Sequence, residues 1–242
     1  MSKTRGFLLA VAFATMAFSL SCSSDGDPPN YGGSKGNDIE NYKTKKIGNQ
    51  TWIAENLDYY VEGSKCYNDD PANCAKYGRL YNWSTAMALD PNCDFTSCSG
   101  EIQQPHRGIC PEGWHIPSYD DWDVLFHYVE NDKGLSGSPP GGSYTAGGYL
   151  KATSGWNYYE GQSGNGTDDY GFSALPGGAG RSDNGSFSSV GLAGCWWSST
   201  ETDGSSNEYA YLSSMKYDDA VAFLHYGGNK DHRLYSVRCL KN

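Results

Sequence analysis

The first apolar stretch of the chain, residues 7–20, carries no charge and follows a basic head at Lys3 and Arg5. It is shorter than the about 20 residues a membrane-spanning helix needs, and it suits the apolar core of a secretory signal. The stretch ends in Ser19-Leu20-Ser21-Cys22 and is followed at once by Ser23-Ser24-Asp25-Gly26-Asp27. Small residues before a Cys at that place predict a lipoprotein processing site. Residues 1–21 then form the signal peptide, and Cys22 becomes the lipid-bearing N-terminus. Ser19 stands where such sites usually carry Leu, so ordinary cleavage nearby is the competing expectation. Residues 22–43, rich in Ser, Gly, Asp, Asn and Pro, read as a flexible spacer holding a domain of residues 44–242 off the membrane.

Within that domain the rhythm changes. Lys46-Ile47-Gly48-Asn49-Gln50-Thr51-Trp52-Ile53 alternates apolar and polar positions as a strand does. Residues 81–89 set Trp83, Met87 and Leu89 among alanines, which predicts a short helix. The clearest helix opens at Pro117-Ser118. Ser118 caps it, Asp120, Asp121 and Asp123 favour its positive end, and Trp122, Leu125, Phe126 and Val129 form its apolar stripe. The three acids are therefore assigned to helix electrostatics rather than to catalysis. Residues 131–193 are dominated by Gly, Ser, Asn, Tyr and Asp, with apolar islands at 149–152 and 172–175. So long an irregular region in a compact domain usually serves a function. Strands at 195–199, 208–215, 220–226 and 235–240 close the chain. Turns at Asp218-Asp219 and Gly227-Gly228-Asn229 separate them, as an antiparallel meander requires.

Charge narrows the partners. The formal net charge is -10, and loss of Lys3 and Arg5 with the signal takes it to -12. Such a surface repels nucleic-acid phosphates and anionic lipid, leaving the lipid anchor as the one link to a membrane. The about 220 residues after the signal suffice for one sizeable core. The 19 Tyr, 7 Trp and 8 Phe supply flat apolar faces with polar edges, suited to sugar or protein recognition as well as to a core. Of the 8 cysteines, those beyond Cys22 suit an oxidising compartment. Cys66/Cys74 and Cys93/Cys98 are spaced for local bridges, whereas no CxxC pair with a following His points to zinc. Their odd number leaves one thiol over.

Candidate chemistry is sparse. None of His106, His115, His127, His225 and His232 sits in a metalloprotease pattern, and no GxSxG elbow or phosphate-cradling loop is present. Carboxylate pairs for sugar hydrolysis can be assembled from Asp168, Asp169, Glu201 or Asp219, but 28 acids offer such pairs by chance. The most site-like stretch is Asn165-Gly166-Thr167-Asp168-Asp169-Tyr170-Gly171. Its hard oxygen donors offer Asp168 and Asp169 to a calcium ion, the one cofactor under consideration; the alternative is an Asp-rich turn that bonds its own backbone. Just upstream, Trp156, Tyr158 and Tyr159 either present a stacking face for a glycan or belong to the core.

Several phrases together resemble the Fibrobacter succinogenes major paralogous domain family of bacterial exported proteins. They are Gln50-Thr51-Trp52-Ile53-Ala54-Glu55-Asn56-Leu57, Tyr77-Gly78-Arg79-Leu80-Tyr81-Asn82-Trp83 and Cys110-Pro111-Glu112-Gly113-Trp114-His115-Ile116-Pro117-Ser118. Later come Gly171-Phe172-Ser173-Ala174-Leu175-Pro176-Gly177-Gly178, Trp196-Trp197-Ser198-Ser199-Thr200-Glu201 and Ser236-Val237-Arg238-Cys239. Their order and spread cover roughly residues 45–242.

The layout is also similar to a C-type-lectin-like fold and its relative in formylglycine-generating enzymes. That resemblance implies an α+β domain with two helices, a long irregular loop region and a C-terminal antiparallel meander. It further implies bridges Cys110–Cys239 and Cys66–Cys74. Cys93–Cys98 follows from spacing alone, and Cys195 is then the spare thiol. The sugar-reading triplets of calcium-dependent lectins are not matched, the nearest strings being Gln104-Pro105-His106 and Trp156-Asn157-Tyr158. The expectation is a lipid-anchored, non-catalytic binding module of the cell envelope, in the outer membrane or at the cell surface. Polysaccharide or another envelope protein is its expected partner. Two readings compete with it: an enzyme of the formylglycine-generating type using Cys195, and a self-associating structural surface protein.

Overall fold

The computed structural model describes Met1 and residues 34–202 and 208–242. The expected signal peptide and Cys22 lie outside the described residues. Among the described residues no helix is long and apolar enough to cross a membrane.

Strands β1 (Thr44–Ile47) and β2 (Gln50–Ile53) open the fold, followed by helices α1 (Pro71–Tyr77) and α2 (Trp83–Met87). Next come β3 (Trp114–His115) and α3 (Tyr119–Asp132), then β4 (Gly142–Ser143), α4 (Ala146–Leu150), β5 (Tyr158–Tyr159), β6 (Gln162–Ser163), β7 (Ala179–Arg181) and β8 (Phe187–Ser188). The chain closes through β9 (Ala193–Glu201), β10 (Tyr209–Lys216), β11 (Ala222–Asn229), β12 (Arg233–Leu234) and β13 (Leu240–Lys241). The main sheet has the order β4-β11-β10-β9, and the first and last strands join in a second sheet, β1-β2-β13-β3. With antiparallel pairing in both, the domain is α+β.

Helix α3 forms where the capping signal placed it. Ser118 Oγ accepts the Asp121 amide N–H and the Asp121 carboxylate accepts the Ser118 N–H, a reciprocal capping box. Its stripe of Trp122, Leu125, Phe126 and Val129 is fully buried. The expected helix over 81–89 appears as α2. Helices α1 and α4 are additional to the two expected, each only one or two turns long.

Elsewhere the structure departs from expectation for identifiable reasons. Residues 34–43, expected as spacer, pack on the domain: Ser34 Oγ and the Lys35 N–H both donate to the Asp58 carbonyl, and Tyr42 is buried. The Gly-rich region 131–193 is not uniformly irregular, because its backbone groups find partners. Ala152 N–H donates to Ala174 O and Ala174 N–H to Leu150 O, so the two apolar islands pair with each other. The Gly227-Gly228-Asn229 turn is instead the end of β11, and the reversal falls at residues 230–232. Glycine is required there by packing: a Cβ on Gly228 would lie 2.6 Å from the Trp197 ring. The expected strand 235–240 is broken, with isolated bridges at Tyr235 and Ser236 before β13 begins.

The strand period of two explains the adjacent tryptophans of β9. Trp196 packs with Trp52, Trp122, Phe172, Met215 and Leu224, whereas Trp197 enters a separate cluster with Trp83, Leu212 and Tyr235. The main sheet thereby divides a core under α3 from a core under α2. Three disulfides, Cys66–Cys74, Cys93–Cys98 and Cys110–Cys239, tie the loops and the chain end to this frame.

Candidate functional site

Tyr158 and Tyr159 sit on β5, which pairs with β6 through a two-residue turn at Glu160-Gly161. Both turn residues have positive φ, 48° and 79°, the twist that suits a tight hairpin. Tyr158 is 71% exposed and Tyr159 43%. Facing Tyr159 is the turn between β10 and β11, where Tyr217 meets it edge-on with ring centroids 5.7 Å apart. Between the two turns lies an open cleft of about 440 Å³, lined in part by Lys151, Tyr159, Glu160, Gln162, Asp218 and Asp219.

The cleft floor is built from Lys151. Its ammonium donates to the carbonyls of Lys216 (2.9 Å) and Asp219 (2.7 Å) and stands 5.1 Å from the Trp156 ring centre. Burial lowers its pKa, against the pull of Asp219 and Asp218. Trp156, expected either as a stacking ring or as core, is core. It is 3% exposed, and its indole N–H donates to Ala174 O. Of the three aromatic residues singled out there, only the two tyrosines face solvent.

Asp168 and Asp169 are each engaged by other protein groups. Asp168 accepts the Ser173 N–H (2.7 Å) and hydroxyl (2.6 Å), while Asp169 forms an ion pair with Lys133. This is the turn that bonds its own backbone. The other acids considered for hydrolysis are likewise engaged elsewhere. Glu201 pairs with the fully buried Lys230 at 2.5 Å, and Asp219 accepts the Val221 N–H. The described residues that group as metal donors are Cys93, Cys98 and Glu101, but the two sulfurs there are already bonded to each other.

Cys195 is the free cysteine among the described residues. Part of the residue reaches solvent, yet burial pushes its thiol up to about 12, against the weaker pull of Arg233 and Lys216. A nucleophilic or metal-binding thiol needs the opposite shift. A second polar cleft, of about 530 Å³, holds His115, Ser118 and Asp121 beside Asn242. There Asp121 lies between Ser118 Oγ (2.6 Å) and His115 Nε2 (3.4 Å), whereas a nucleophile relay needs the imidazole in the middle.

Five of the six phrases that carried the family resemblance converge elsewhere, on one buried node. Arg238 Nε donates to Asn56 Oδ1, its Nη1 to Phe172 O and its Nη2 to Ser173 O, and the Trp196 indole N–H shares the Asn56 oxygen. Asn56 in turn donates to Tyr77 O at 2.7 Å. Gly78, with φ of 75°, lets the backbone pass where a Cβ would meet Asn56 at 2.7 Å. Residues 46–241 match the Fibrobacter succinogenes major domain. The chain belongs to this family. No curated protein and no solved structure matches it. In this Fibrobacter succinogenes major domain the matching phrases build the frame, while the cleft draws on residues 148–165 and 217–220, between those phrases. Lys151, Glu160, Gln162 and Tyr217 were not singled out by sequence reasoning. Tyr159, Asn165 and Asp219 were the sequence signals that fall on it.

Proposed function

We propose that the protein is exported, lipid-anchored through Cys22 and acts in the cell envelope as a non-catalytic polysaccharide-binding module. The observation that carries this reading is the cleft between the β5–β6 hairpin and the 217–220 turn, with Tyr159 and Tyr217 on it. Tyrosine faces take the apolar faces of sugar rings, and Glu160, Gln162 and Asp218 supply hydrogen-bonding groups at the rim. A C-type-lectin-like arrangement belongs to the same proposal. It would give the long region between α3 and the meander the role of ligand surface, without the calcium-dependent sugar triplets. An envelope protein is the second partner class. The enzyme reading finds no support in Cys195, whose thiol is protonated at neutral pH.

The test is affinity electrophoresis of the full chain through gels containing neutral, amino or uronic-acid polysaccharides, beside Tyr159→Ala. Retardation that the substitution abolishes supports the reading; no retardation in any gel refutes it. Intact-mass mapping of the protein from its native membrane tests the anchor, with an acylated Cys22 as the expected result and an unmodified one against it.

A further inference from the structure

Resting on that reading, we infer that the cleft selects cationic amino sugars, such as glucosamine units bearing a free ammonium group, over N-acetylated or uronic-acid sugars. The lining residues set its field. Glu160, Asp218 and Asp219 place three carboxylates on one opening, and Glu160 and Asp218 are exposed at hairpin and turn tips. The cation in that lining is Lys151, which is 3% exposed. Two of its three ammonium hydrogens are committed to the Lys216 and Asp219 carbonyls, and it faces the Trp156 ring from beneath the cleft. Lys151 is thus held in the floor by its carbonyl partners, and with one cation against three carboxylates the lining keeps an excess of two negative charges.

The aromatic component makes the preference one for a sugar rather than for any cation. Tyr159 and Tyr217 meet edge to face at 89° on the cleft wall, and Tyr159, 43% exposed, keeps ring surface open to solvent there. A sugar ring covers a tyrosine face, and an equatorial ammonium reaches the rim carboxylates. A uronic acid on the same rings brings its carboxylate against Glu160 and Asp218. The chain's net charge of -10 acts in the same direction over longer range. Exposed ion pairs are individually weak, so two of them give about a three- to tenfold preference that added salt screens.

The experiment is titration of the full chain, by calorimetry or ligand-observed NMR, with four-unit oligomers of glucosamine, N-acetylglucosamine and a uronic acid. Wild type, Tyr159→Ala and Glu160→Gln/Asp218→Asn are compared at low and high salt. The expected result is glucosamine oligomer binding about three- to tenfold more tightly than its acetylated counterpart. Salt shrinks the advantage, Glu160→Gln/Asp218→Asn abolishes it with acetylated-oligomer affinity retained, and Tyr159→Ala removes binding of both. Equal or tighter binding of the acetylated or uronic-acid oligomer, lost in Tyr159→Ala, overturns the charge preference and leaves the polysaccharide reading standing. Binding of no oligomer overturns the charge preference, while the polysaccharide reading is decided by the gels containing neutral polysaccharides. Oligolysine competing equally, with Tyr159→Ala without effect, shows a bare charge effect and also overturns the inference.

Discussion

Arg238 Nε donates to Asn56 Oδ1 at 2.9 Å across 182 positions of sequence, and Trp196 Nε1 donates to the same oxygen at 2.8 Å. The guanidinium is fully buried, stacks 4.4 Å from the Phe172 ring centre and is otherwise satisfied by backbone carbonyls. Burial with carbonyl rather than carboxylate partners pushes its pKa down to about 9. Arg238→Met fills much of the volume but leaves several buried acceptors unpaired, which costs about 3–5 kcal/mol. Asn56→Leu strands the Trp196 and Arg238 donors at a similar cost. Because both lose the same bond, their double mutant should fall short of the sum by more than about 1 kcal/mol. Urea unfolding of the four proteins measures this, and strict additivity would contradict the shared node.

The Cys110–Cys239 bridge closes a separation of 129 residues, against 8 for Cys66–Cys74 and 5 for Cys93–Cys98. Chain-entropy scaling gives about 5 kcal/mol for the long loop and about 2 kcal/mol for each short one. Pairwise Cys→Ala variants should therefore lose stability most at Cys110/Cys239. Guanidinium midpoints check the order, and a larger loss at Cys93/Cys98 would contradict it.

Asp58 is buried beside Arg79 (3.4 Å), and burial, against the pull of Arg79 and Lys35, raises its pKa to about 6. A carboxyl whose folded pKa exceeds its unfolded value of about 4 binds its proton more tightly in the native state. Stability from this group therefore rises as pH falls from 7.5 through 6 and levels off near 4, by about 2–3 kcal/mol in all. Thermal melts at pH 7.5 and 5 should show the native protein gaining more on acidification than Asp58→Asn. Parallel pH slopes would count against the raised pKa.

How much of this was legible in the sequence depends on how local the deciding interaction is. The α3 start was legible because Ser118, Asp121 and the Trp122–Val129 stripe lie within one helix. Strands β9, β10 and β11 were legible as stretches separated by turn residues, whereas β4 lay hidden in the Gly-rich region. Trp156 was left open between core and surface because its burial depends on pairing of residues 150–152 with 174, which no local pattern encodes. Gly227-Gly228 reads as a turn until the Trp197 ring is seen against it. The cleft joins residues 148–165 to 217–220, and the commitment of the Lys151 ammonium to two carbonyls of a distant turn is invisible in sequence.

The Cys195 thiol, held up to about 12 by burial, carries a thiolate fraction of about one in ten thousand at pH 8. Iodoacetamide should leave it unmodified in the native protein and label it promptly after denaturation, as read by intact mass. Stoichiometric labelling of the folded chain would reopen the enzyme reading.

Trp156 and Tyr159 lie three positions apart but have opposite expected roles. Trp156→Ala opens a core cavity and should cost about 3–5 kcal/mol, whereas Tyr159→Ala should change stability by less than about 0.5 kcal/mol and remove glycan binding. The measurement that tests the central claim most directly is retention of the full chain on immobilised polysaccharides, with Tyr159→Ala at matched stability as the comparison. The account predicts retention of wild type on at least one polysaccharide and passage of the variant. Passage of both on every polysaccharide, or equal retention of both, would contradict it.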